Sequence, residues 1–112
     1  MSTATLDEQL WATVLQYAEP LKIDPSCQLF LQAWIANGVE RMRFERRVGP
    51  ADLATAKDNL KTFVELMKAE TLAHGAERID NKCFHAAQHT LERHSRLTVY
   101  SLWPFWPHVV SG

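Results

Sequence analysis

The densest charge in the chain is Glu40-Arg41-Met42-Arg43-Phe44-Glu45-Arg46-Arg47, four arginines among eight residues. On a helix Arg43, Arg46 and Arg47 share one flank, and guanidinium forks fit phosphate oxygens well. The run therefore suits either a nucleic-acid backbone or the charged rim of a protein-docking surface. Glu40 and Glu45 interrupt it. Arginines in the last turn of a helix also oppose the negative end of its dipole, which requires no partner.

A second group is aromatic. Tyr100, Trp103, Phe105 and Trp106 fall within seven residues, with Pro104 and Pro107 among them. Prolines restrict the unbound chain, so ordering such a segment costs little entropy, and flat rings supply large contact areas. These rings either strap across the protein's own helices or anchor another chain.

A third group has metal-ligand spacing. His85, His89 and Glu92 form H-x-x-x-H-x-x-E, which at about 100° per residue puts all three on one helical face. Two imidazoles one turn apart can share a divalent cation, with the carboxylate as third ligand. Lys82 and Arg96 on that side oppose a cation, and a solvated polar face explains the same residues. His94 projects with Cys83, Ala87 and Thr90 toward the interior, where a neutral hydrogen-bonded histidine is the usual outcome.

Nucleophile and phosphate signatures are missing. No serine lies in G-x-S-x-G, and the four glycines, at positions 38, 49, 75 and 112, form neither a P-loop nor a dinucleotide fingerprint. Cys27 and Cys83 fall on apolar helix faces, outside any zinc-type spacing, and are expected as buried, reduced thiols. No cofactor is implied.

The elements that must position these groups are helical. Thr5 and Glu8 have capping-box spacing, opening a helix over about 5–19 that carries Leu6, Leu10, Val14, Trp11 and Leu15. Asp24 and Pro25 open a second over about 25–47, in which Cys27, Phe30, Leu31, Trp34, Ile35 and Met42 keep the period. Gly38, directly after Asn37, allows two readings: a continuous helix in which it marks a close approach of another helix, favoured because Met42 keeps the phase, or a helix end that leaves 39–47 as a separate short helix. Gly49-Pro50 starts a third helix over about 51–73, with Leu53, Ala56, Leu60, Phe63, Val64 and Met67 inward and Gly75 as its stop. Asp80 caps a fourth over about 80–96, with Ile79 and Phe84 as a hydrophobic staple. Residues 97–112 are read as an extended Trp/Pro-rich tail.

A chain of 112 residues, 46% hydrophobic and 22% charged, suits one domain. A formal charge of −1 gives no overall pull toward nucleic acid or anionic lipid. No stretch approaches the ~20 apolar residues of a membrane span, and no secretory signal is evident, so a cytoplasmic location is expected. No internal repeat stands out. The expected fold is all-α: an irregular four-helix bundle, helices two and three central, with the tail packed on it. The functional expectation is a non-enzymatic protein-interaction or regulatory module, with another protein as partner and a homodimer as its assembly. Its anchors are Tyr100, Trp103, Phe105 and Trp106, with Arg43, Arg46 and Arg47 as a charged rim. A nucleic-acid-binding regulator using those arginines is the alternative, and metal binding at His85, His89 and Glu92 the third.

Overall fold

The structure, a computed structural model, describes residues 4–94, the side chains of 91–94 excepted. Four helices form where the local signals place them. Helix α1 (Leu6–Ala18) opens on a complete capping box: Glu8 N donates to Thr5 Oγ1 at 3.1 Å, and Thr5 N donates to Glu8 Oε1 at 2.9 Å. Helix α2 (Pro25–Phe44) has Asp24 as its cap, which accepts from Ser26 N at 3.3 Å, and Pro25 at its first position. Gly38 is buried inside α2, and the helix runs on through buried Val39 and Met42. Helix α3 (Pro50–Ala73) starts at Pro50, with Gly49 N donating to Asp52 Oδ2 at 3.2 Å. Helix α4 (Asn81–His94) follows Asp80, whose Oδ1 accepts from Cys83 N at 3.0 Å.

Helix α2 ends at Phe44, short of the expected residue 47, because Arg46 turns left-handed at φ 60°. Arg46 N then donates to Arg43 O at 3.0 Å and Arg47 N to Met42 O at 2.7 Å, the two bonds of a Schellman stop. Helix α3 ends by the same device. Gly75, at φ 70°, donates to Leu72 O, and Ala76 N donates to Thr71 O, both at 3.0 Å. Glycine adopts this conformation freely, whereas arginine does so at a cost.

The loops before α2 and α4 hold a feature the helical periods did not foretell. Strands β1 (Lys22–Ile23) and β2 (Arg78–Ile79) pair in parallel, Lys22 opposite Arg78 and Ile23 opposite Ile79. Two-residue strands are too short to show alternation, so only the tertiary fold reveals them. Ile79 is fully buried. Burying an isoleucine contributes about 2 kcal/mol and a net hydrogen bond about 1 kcal/mol, so Ile79 weighs about as much as two hydrogen bonds of the bridge.

The bridge also corrects the expectation of no internal repeat. Lys22-Ile23-Asp24-Pro25-Ser26-Cys27 and Arg78-Ile79-Asp80-Asn81-Lys82-Cys83 share one pattern: basic residue, isoleucine, aspartate, two variable positions, cysteine. In both copies the first two residues pair across the bridge, the aspartate caps the following helix, and the cysteine is buried in its first turn. Four residues further on, Leu31 and Ala87 are again both buried. The described residues thus comprise two helix–strand–helix units, α1-β1-α2 and α3-β2-α4.

Helix α3 is the centre of the packing, against α1 on one side and α4 on the other, while α2 lies on α1 and approaches α4. The expectation that α2 and α3 together form the centre is corrected: their contact is made by long side chains, with the Trp34 and Phe63 ring centroids 5.2 Å apart. Phe84 fills the middle of this cluster, edge-on to Phe30, Trp34 and Phe63 at 4.9, 5.0 and 5.1 Å. Leu10, Val14, Leu31, Ile35, Leu60, Phe63, Met67 and Ile79 complete the core. Leu15, expected on the inner face of α1, is instead 44% exposed, one position round the helix from buried Val14. The expected tail over 97–112 lies outside the described residues.

Candidate functional site

The C-terminal end of α2 gathers the charge that the sequence concentrates there, but divides it. Glu45 accepts Arg41 Nε at 3.2 Å on Oε2 and draws Arg47 Nη1 to 3.5 Å on Oε1. Both pairs are partly exposed, so they order the helix end more than they stabilise the fold. Arg43 and Arg46 have no ion-pair partner among the described residues. Together with Leu6, Phe44 and Val48 they line an open groove between the start of α1 and the α2–α3 connection.

Phe44 dominates this groove. It is 88% exposed, the most exposed large apolar residue described, and shares the groove with two guanidinium groups that have no ion pair among the described residues. Two positions beyond buried Met42, it points away from the core. A single exposed apolar residue is ordinary; a phenylalanine on a groove with Leu6 and Val48, rimmed by arginines, has the composition of a docking surface. Sequence reasoning did not single out Phe44. Its signal was a phase error, since it falls outside the Cys27, Leu31, Ile35, Met42 stripe.

A second groove also takes lining from the first turns of α1. Asp7, Glu8 and Trp11 from α1 and Gln32 and Ile35 from α2 line it. Its floor is apolar and its rim acidic. Glu8 is committed to the capping box, whereas Asp7 has no hydrogen bond or ion pair among the described residues.

Of the expected arginine rim, the structure brings Arg43 and Arg46 to one groove and turns Arg47 toward Glu45. Tyr100, Trp103, Phe105 and Trp106 lie outside the described residues. His85 and His89 are exposed on α4, the His85 ring 5.4 Å from Phe84 and 6.2 Å from Phe30. The side chains of Glu92 and His94 are not among those described, and no group of three or more metal-binding side chains assembles among those that are. His74 is the C-terminal cap of α3, its Nδ1 2.8 Å from Glu70 O.

Both thiols are free and buried. Burial, reinforced by Asp80, Cys83 and Asp24 nearby, pushes the Cys27 thiol up to about 12, which keeps it protonated at neutral pH. Cys83 Sγ lies 3.0 Å from the Thr71 hydroxyl, which also donates to Met67 O at 2.8 Å. Neither environment activates a nucleophile. Among the described residues no helix is long and apolar enough to cross a membrane. Compared with known proteins, the chain matches no family model, no curated protein and no solved structure.

Proposed function

We propose that this protein is a non-enzymatic interaction module that docks another polypeptide through the end of α2. Phe44 is the apolar anchor and Arg43 and Arg46 are the charged rim. The observation that carries this reading is an 88% exposed phenylalanine on a groove with two arginines that have no ion pair among the described residues. Aromatic and arginine side chains supply most of the energy of typical interfaces, and a surface that leaves both hydrated in the isolated chain is suited to a partner. In this reading the helices form an irregular bundle under the tail, Tyr100, Trp103, Phe105 and Trp106 add anchors, and Arg47 supports the rim through Glu45. The protein acts in the cytoplasm.

The test places a photoreactive phenylalanine analogue at position 44, with the same analogue at Leu72, itself 62% exposed, as control. Irradiation in an extract of the source cells is expected to give polypeptide adducts at 44 that are absent at 72 and lost in the Arg43→Glu, Arg46→Glu double variant. Equal labelling at both sites, or adducts to nucleic acid alone, overturns the reading.

Nucleic-acid binding remains the second reading, because Arg43 and Arg46 have no ion pair among the described residues. It requires duplex or single-strand binding that falls steeply with salt and disappears in the same double variant. Metal binding at His85, His89 and Glu92 is the third, and elemental analysis after metal supplementation decides it.

A further inference from the structure

The two grooves at the start of α1 are complementary to each other. One presents an exposed Phe44 flanked by the cationic Arg43 and Arg46; the other presents an apolar floor of Trp11 and Ile35 beneath the anionic Asp7. They do not satisfy one another within one chain: Phe44 stays 88% exposed, and neither Asp7 nor Arg43 and Arg46 has an ion pair among the described residues. A two-fold dimer would let each copy's Phe44 enter the other's Trp11 groove and each copy's arginines meet the other's Asp7.

We infer that the docking partner is a second copy of this chain, bound in a two-fold dimer through these paired grooves; the inference rests on the interaction reading above and names its partner. An isologous interface requires a patch that carries both the knob and the hole and both signs of charge, and this surface has all four. A nucleic acid would satisfy the arginines alone, with no use for the acidic groove. The formal net charge of −1 presents no overall repulsion to self-association. Removing Phe44 and Trp11 from water supplies the affinity, and the charge pairs fix the register and make assembly salt-sensitive.

The experiment is a charge swap on the full chain, read by sedimentation equilibrium across a concentration series. The wild type is expected to dimerise, less tightly at high salt. Phe44→Asp should raise the dimer dissociation constant about thirtyfold or more. Asp7→Lys alone places lysine against arginine at both contacts, and Arg43→Glu with Arg46→Glu places glutamate against aspartate at both, so each variant by itself should be monomeric. An equimolar mixture of the two restores opposite charges at both contacts and should recover a heterodimer. Asp7 is used in place of Glu8 because Glu8 holds the α1 cap. A wild type that stays monomeric, a dimer indifferent to all these changes, an open-ended polymer, or a mixture that fails to associate overturns the inference. The photolabelling result separates this failure from that of the broader reading: polypeptide adducts at 44 that never contain a second copy overturn the dimer and leave the docking site standing.

Discussion

Ile23 and Ile79 face each other across the parallel bridge, at equivalent places in the two helix–strand–helix units, yet Ile79 is fully buried and Ile23 only half-buried. The same residue in the same local frame therefore has unequal work. Ile79→Ala is expected to destabilise the fold by about 3 kcal/mol and Ile23→Ala by about half as much. Urea denaturation of both variants measures the difference, and equal losses would contradict the asymmetry.

The stops of α2 and α3 predict two substitutions of opposite sign. Arg46 takes after α2 the left-handed stop position that Gly75 takes after α3. Arg46→Gly should raise stability by about 1 kcal/mol, while Gly75→Ala should lower it by about the same. No atom lies within 4 Å of a Cβ built at Gly75, so that loss is conformational and not steric. Thermal melts read both. Arg46→Gly should also weaken dimerisation, separating a gain in folding from a loss in binding.

Cys27 predicts the alkaline limb of stability. Its thiol is held from 9.0 up to about 12 in the folded chain. Between those values the unfolded chain loses a proton that the folded chain keeps, so stability falls as pH rises. Cys27→Ala costs core packing at neutral pH but should flatten this decline. Thiol titration in native buffer should be slow, and unfolding should expose both cysteines. Rapid native labelling would contradict the burial.

Asp80 predicts the acid limb. The hydrogen bond from Cys83 N holds its carboxyl below the usual range. A depressed folded value contributes stability that is whole above the unfolded value, about 3.9, and is lost as pH falls through the folded one. Asp80→Asn keeps a capable cap but does not titrate. Its acid denaturation curve should therefore be shallower than the wild type's; parallel curves would show that the hydrogen bond carries no charge preference.

The signals that could be read from sequence were local ones. Thr5 and Glu8, Asp24 and Pro25, Gly49 and Pro50, and Gly75 mark helix ends because a cap is decided within about four residues. The β bridge was not legible, since Lys22 and Arg78 meet across half of the chain and two-residue strands have no period. The repeat was hidden because its identities are isoleucine, aspartate and cysteine alone, with a conservative Lys-to-Arg exchange, between helices of unequal length. At the candidate site, helical geometry put Arg43, Arg46 and Arg47 on one flank, but a wheel cannot foresee the left-handed turn at Arg46 or the competition for Glu45. Phe44 escaped notice for the same reason that makes it available: it belongs to no buried stripe.

The parallel bridge gives the connection between α2 and α3 an unexpected freedom. Each unit brings its own strand, aspartate cap and buried cysteine to the meeting point, so covalent linkage serves to concentrate the two units near each other and not to shape them. A chain cleaved between Arg47 and Gly49 should reassemble from its fragments, with an affinity that measures how much of the fold resides in the match between its two related parts.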